Sequence, residues 1–533
     1  MPRPLIALAC AGLLAGAVQA APSSLVVCTE ASPEGFDIAQ YTAATSADAS
    51  AETVFDRLLR FAPGSAELVP GLAERWEISA DGREYTFHLR RDVQFQRTPW
   101  FVPSRPLNAD DVIWSFRRQI DPVHPWHALS PRGFPYAEAM ALGELIERID
   151  RLDDHRVRFV LRHPEAPFLA DLAMSFASIY PAEYADRLLA AGTPEKLNSQ
   201  PVGSGPFVFE RYEKDAQVRF HRHPEHWAGA PAIERLILAI TPEPNVRVQK
   251  LKAGDCQIAL APRPVDIPGL RRDERLRVLE GEPLLTAYVG INTRHPPLDD
   301  VRVRQALNLA FDKSAYLRAQ YGEGGAIPAV APYPPNLWGS DPGLQGWPYD
   351  PERARRLLAE AGHAGGLKLS IWTRPGGGPS NPNPGIGAQM LQADLAAIGI
   401  EARIQVLEWG ELIQRAKRGE HDLIFMGWAG DNGDPDNFLT PNLSCAAAVS
   451  GENQAGWCNR EFDDLLREAR QNADQNQRAA LYRRALAIFH REAPWIPLAH
   501  PREFAAVRRD VEGFVVSPLG TNSFAGVRRI PSP

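Results

Sequence analysis

Beyond residue 20 the chain has no apolar run approaching the roughly 20 residues that a membrane-crossing helix needs. It also lacks any block of clustered Lys and Arg: 58 basic residues face 65 acidic ones, a formal net charge of −7. Binding nucleic acid requires cations gathered against phosphate, so that class of function is excluded. There is no G-x-S-x-G elbow and no H-E-x-x-H pair, and no nucleophile–base constellation points to an enzyme. No two cysteines stand at C-x₂₋₄-C spacing, which argues against zinc. No short internal repeat is visible, and no Gly/Ser or charge-block linker divides the chain. Its lobes are therefore expected to be joined by ordered strands.

What is present is the composition of a folded, loop-rich globular protein. The 533 residues are 44% hydrophobic and 23% charged, with 48 prolines that follow no period. At roughly 100–200 residues per domain this length predicts two to four structural units. Arg3 precedes an apolar stretch from Leu5 to Val18, which ends in Val18-Gln19-Ala20-Ala21. That order reads as a cleavable signal peptide over 1–20, and hence as export. The apolar stretch before Cys10 is too short for a lipoprotein anchor there. Four cysteines follow the signal, Cys28, Cys256, Cys445 and Cys458, an even number suited to an oxidising compartment. Three pairings are possible. Cys445 and Cys458 flank Ser450, Gly451 and Asn453, which suits a local loop closure and leaves Cys28 with Cys256.

The hydrophobic pattern is mixed α/β. Ser24–Cys28 reads as a short buried strand, and Trp76–Leu89 as a hairpin turning at Asp81-Gly82, with Tyr85, Phe87 and Leu89 alternating. Asn108 is placed to cap a helix carrying Val112, Ile113 and Phe116, and Arg156–Leu161 reads as another strand. A helix beginning at Asp350-Pro351-Glu352 and stopping at Gly362 opens a strand–helix–strand alternation from about 350 to 430.

Most local arrangements fail as chemistry. His221-x-His223-x₂-His226 sits with Pro224 after a strand and is expected in a solvated turn rather than on a metal. Gly376-Gly377-Gly378 lacks the Lys-Ser/Thr of a phosphate cradle, and the acidic run Asp431–Asn437 lacks the order of a calcium loop. The acidic run nevertheless follows an apolar strand, Leu423–Met426, and lies near Trp409 and Trp428. A carboxylate at the mouth of a buried strand, between indole faces, can receive an ammonium group. The competing use of Asp434 and Asp436 is to cap turns around Pro435, and for Asp431 the two uses are evenly matched.

Several segments carry a resemblance that covers essentially the whole exported chain. They include Gly71-Leu72-Ala73-Glu74-Arg75-Trp76, Leu107–Val112, Gly203-Ser204-Gly205-Pro206-Phe207, Leu298–Ala306 and Tyr349-Asp350-Pro351. With them the chain resembles the periplasmic peptide-binding proteins of ABC transporters, the solute-binding family of dipeptide-, oligopeptide- and nickel-binding proteins. Ser32–Phe36, Glu408-Trp409-Gly410-Glu411 and the stretch from Gly427-Trp428 to Asn437-Phe438 draw it towards the dipeptide-binding members. Those members' two disulfides match the pairing above.

The resemblance implies an α/β, two-lobed periplasmic binding protein fold with hinge closure. The larger first lobe would be discontinuous, 21–282 plus 501–533, and the second lobe 283–500. It implies a monomer without metal or cofactor, which captures a short peptide, dipeptide-like or longer, and delivers it to an inner-membrane permease. A metal chelate or haem is the alternative ligand within the class, and a secreted peptidase the alternative outside it. Carried over by position, Asp431 would hold the ligand ammonium, with Trp409, Trp428 and Gly427 beside the pocket. Thr42, Ala43 and Ala44 would pair with the ligand backbone. The sequence departs from the pattern at one place. Asn381-Pro382-Asn383 is kept, but Gly378 stands where the family places the arginine that holds the ligand carboxylate, and Ser380 replaces an aromatic residue. Arg374 is the candidate substitute.

Overall fold

The computed structural model describes residues 24–530, so the expected signal peptide and Cys10 lie outside the described residues. Two large sheets organise the chain. The first has seven strands, in the order Leu276–Gly281, Glu503–Arg508, Ile258–Leu260, Ser24–Thr29, Arg235–Ile240, Gln217–Arg222 and Phe207–Glu213. The second has six: Ala326–Pro328, Trp495–Pro501, Leu285–Ile291, Leu423–Ala429, Leu367–Thr373 and Ile400–Val406. A four-stranded antiparallel sheet between Ala73 and Leu161 carries its own apolar cluster, in which Phe87, Phe116 and Phe159 meet edge-on.

The chain passes between the large sheets twice, from Gly281 to Leu285 and from Pro501 to Glu503. Both crossings leave the first sheet at one place, because Gly281 and Glu503 are register partners on neighbouring strands. No flexible linker is needed. The hairpin turns at Gly82, whose φ of +68° suits glycine, and Tyr85, Phe87 and Leu89 are buried. Asn108 Oδ1 accepts from Asp110 N at 3.0 Å while Asp111 Oδ2 accepts from Asn108 N at 2.9 Å, so the helix Ala109–Ile120 starts on a reciprocal cap. The strand Leu367–Thr373, the helix Pro384–Ala397 and the parallel strand Ile400–Val406 realise the expected alternation. Leu391 and Leu395 of that helix, both fully buried, seal it against the sheet.

The histidine run is only in part a solvated turn. His221 lies in the strand Gln217–Arg222 with its side chain exposed, and Pro224 and Glu225 turn in solvent, but His223 is buried with Nδ1 3.0 Å from Gly205 O. His226 Nε2 stands 3.6 Å from Asp56 Oδ2. Packing of the segment under the Gly203–Phe207 loop outweighs the polarity of its residues. Among the described residues no group of three His, Cys, Asp or Glu side chains is arranged to hold a metal.

Candidate functional site

A cavity of about 670 Å³ lies between the two large sheets and is lined from both sides. Thr42, Ala44 and Tyr136 line it from the part of the chain before Gly281, and Gly378, Gly430 and Asp431 from the part after Leu285. That volume is in the range of small-ligand sites.

Asp431 sits just past the strand Leu423–Ala429, which lifts it to the cavity wall. Asn437 Oδ1 fixes the turn by accepting from both Asp431 N at 3.1 Å and Trp428 Nε1 at 3.2 Å. A Cβ at Gly430 would run into the Phe438 ring, so a glycine lets the chain bend there. From across the cavity the Tyr136 hydroxyl donates to Asp431 Oδ1 at 3.3 Å. Burial pushes the Asp431 carboxyl up to about 6, with the bonds from Tyr136 and Asn437 opposing. A carboxylate held with so little compensation is suited to a cation brought by a ligand.

The rest of the acidic run faces elsewhere. Asp434 Oδ1 accepts from Arg478 Nη2 at 2.8 Å and from Asp436 N at 2.9 Å, and Asp436 Oδ1 accepts from Thr440 Oγ1 at 2.7 Å. Trp428 packs partly buried behind Asp431, whereas Trp409 is 48% exposed. The Arg374 guanidinium lies 4.9 Å over the Trp409 ring and donates to Gly377 O at 2.9 Å. Arg374 and Trp409 are thus paired with each other and are not among the cavity-lining residues. Gly427 pairs with Ala287 in the sheet, and a Cβ there would collide with Ser380. Ala43 O accepts from Ser46 N and Ala47 N, at 3.0 and 3.1 Å, starting the short helix Ala44–Asp48 between its two lining neighbours.

The cations of the cavity are the arginines of its lining. Arg57 is paired with Glu52 at 2.9 Å, and Arg502 with Glu280 at 2.5 Å. Arg247 is buried and spends its guanidinium on four main-chain carbonyls, of Leu260, Thr241, Pro242 and Ala261. Gly378 adds no charge. Its N donates to Asn381 O at 2.9 Å, its φ lies outside the left-handed region, and a Cβ would meet only the mobile end of Arg374. Glu503 also lines the cavity, its carboxyl pushed up to about 7 by burial and then by Glu30. Tyr136, Arg247 and Glu503 have no motif in the sequence to announce them. Only the fold brings them to the cavity.

The cysteines pair as Cys28–Cys256 and Cys445–Cys458, with Cα–Cα separations of 5.9 and 4.5 Å.

Residues 67–450 match the family described as bacterial extracellular solute-binding proteins, family 5 Middle. The chain is 60% identical over 520 residues to di/tripeptide-binding protein 4 of Pseudomonas aeruginosa, covering 98% of this chain and 97% of that one. Among solved structures it is similar to HbpA2 from Haemophilus parasuis, with 42% identity and a TM-score of 0.92, covering 95% of this chain and 100% of that one. It is also similar to a dipeptide binding protein from Pseudoalteromonas sp. SM9913 in complex with Met-Leu, with 37% identity and a TM-score of 0.79 over the same shares of the two chains. Its fold is that of the two-lobed α/β binding proteins, and the chain belongs to the family 5 extracellular solute-binding proteins.

Proposed function

We propose that this protein is the exported binding component of an ABC importer, that it captures a short amine-bearing peptide, and that it releases the peptide to an inner-membrane permease. The first lobe comprises 21–282 plus 501–533 and the second 283–500, with the two adjacent crossings as the hinge. Ligand held by both lobes favours the closed form because only that form supplies all its contacts.

The observation that carries the reading is the position of Asp431, a carboxylate with no salt-bridge partner among the described residues, on a cavity shared by both halves of the chain. It receives the ligand ammonium, beside Thr42 and Ala44 and in front of Trp428. The relatives named as di/tripeptide- and dipeptide-binding proteins support the same ligand class. The relatives at 54–60% identity are named for di/tripeptides, which favours that ligand class over a metal chelate or haem. Export rests on the signal-like segment before Pro22, and a binding rather than catalytic role on the family.

Native mass spectrometry of the purified protein tests this. A co-purified small peptide is expected, and peptides incubated with the protein should remain uncleaved. Peptide cleavage, or a protein that carries and accepts no amine-bearing ligand, contradicts it.

A further inference from the structure

The acidic run does more than present Asp431, because its next residues form a seam with the other half of the chain. Asn432 Nδ2 donates to Asp171 Oδ1 at 2.7 Å, and both residues are buried. A Cβ at Gly433 would lie only 2.7 Å from the Ala66 side chain. Ala166 N donates to Arg470 O at 2.7 Å close by.

The charges of this seam do not balance. Glu165, Asp171, Asp434 and Asp436 bring four carboxyl groups, and Arg470 and Arg478 bring two guanidinium groups. Glu165 accepts from Arg470 Nε and Nη2 at 2.9 and 3.0 Å, and Asp434 accepts from Arg478 at 2.8 Å. Asp436 lies 3.9 Å from Arg470 and accepts from Thr440. The other titratable groups here are His163, whose Nδ1 lies 3.8 Å from Glu165 Oε2, and two tyrosines: Tyr85, which donates to Glu165 O at 3.0 Å, and Tyr482, whose hydroxyl accepts from Arg478 Nη2 at 2.8 Å. Burial pushes both phenols up, so neither supplies or removes charge. Asp171 has no salt-bridge partner among the described residues, and its only side-chain bond is to a neutral amide. Burying it as an anion beside three more carboxyl groups would be costly, whereas the neutral acid still accepts from Asn432.

We propose that Asp171 is a positioning residue for Asp431: it docks on Asn432 as a neutral acid, so that closing the cleft takes up a proton and holds the ammonium receptor in place. This rests on the two-lobed closure proposed above and is independent of the identity of the ligand. In the seam, burial pushes the Asp171 carboxyl up to about 8, opposed by the Asn432 bond and reinforced by Glu165, Asp434 and Asp436. In an open cleft it would be solvated, with an ordinary value of about 3.9. The closed form has the raised value, so closure is favoured at low pH and loses that advantage as pH rises towards about 8. Within that window each pH unit shifts the closing equilibrium by up to about tenfold.

Small-angle scattering of the ligand-free exported chain at about pH 6 and about pH 9 tests the proposal without any ligand. The wild type is expected to be more compact at the lower pH, with its closed-to-open ratio falling at least about tenfold by the higher one. Asp171→Asn, which has the shape of the neutral acid, should open clearly less than the wild type between the two, keeping only the change that Asp431 contributes. A wild type with the same radius of gyration at both pH values overturns the proposal, as does an Asp171→Asn variant that opens like the wild type. Should that variant fail to fold, an infrared titration of the wild type decides. A buried-acid carbonyl band that outlasts those of Asp431 and Glu503 and vanishes near pH 8 is expected, and the lack of any such band between about pH 7 and pH 8 refutes the proposal.

Discussion

Tyr136 and Asp431 are 295 positions apart and come from opposite sides of the cavity, yet the phenol donates to the carboxylate at 3.3 Å. The proposed ammonium receptor is thus complete only when the two halves of the chain meet. Tyr136→Phe should weaken amine binding by about 0.5–1.5 kcal/mol, since a hydrogen bond to the receptor is lost while its charge remains. Calorimetric titration measures this, and an unchanged affinity would show that the contact is idle.

Asp431→Ala is the stronger perturbation. It leaves the ligand cation buried and unpaired in the closed cleft and should cost about 2–5 kcal/mol of binding. If the variant binds a free-amine peptide as tightly as the wild type, Asp431 serves only the turn that Asn437 fixes.

On the proposed reading Gly378 leaves a ligand carboxylate without a cation, because the arginines of the lining are already committed. Amidating a peptide's C-terminus should therefore change affinity by less than about tenfold, or about 1.4 kcal/mol. A large loss on amidation would mean that Arg57, Arg502 or Arg374 leaves its present partner to bind the ligand. Gly378→Arg should strengthen binding of free dipeptides, since its backbone is outside the left-handed region and only the end of Arg374 must move.

Stability rests partly on a disulfide and an ion pair in the first half of the chain. Cys28 and Cys256 are fully buried and close a separation of 228 residues, so replacing both with Ala should cost about 2–5 kcal/mol. Arg118 and Asp37 form a fully buried pair, with Nη1 2.9 Å from Asp37 Oδ2 and the Tyr180 hydroxyl also donating to Asp37. Burial alone would raise the Asp37 carboxyl, but Arg118, together with the bonds from Gln40 and Tyr180, more than reverses it. Arg118→Ala should cost about 3–5 kcal/mol by stranding that anion. Denaturant unfolding of each variant checks both values.

Much of this was legible in the residues. The cap at Asn108, the turn at Asp81-Gly82 and the helix starting at Pro351 follow from local chemistry, and the structure has each of them. His223 was misjudged because its surroundings come from a loop some twenty residues earlier. In the acidic run local reasoning found the cap made by Asp434, and the fold puts Asp431 on the cavity wall. It could not find the seam, because Asp171 and Glu165 lie more than 250 positions away. Arg374 was the candidate cation in the sequence, and in the fold its guanidinium lies over the Trp409 ring and donates to Gly377 O.

The most direct test of the central claim is a calorimetric titration of the ligand-free protein with Ala-Ala-Ala and with its N-acetylated counterpart. If Asp431 receives the ligand ammonium in the cavity between the two sheets, the free amine binds and acetylation costs about 2–5 kcal/mol. Equal affinity for the two peptides would contradict it.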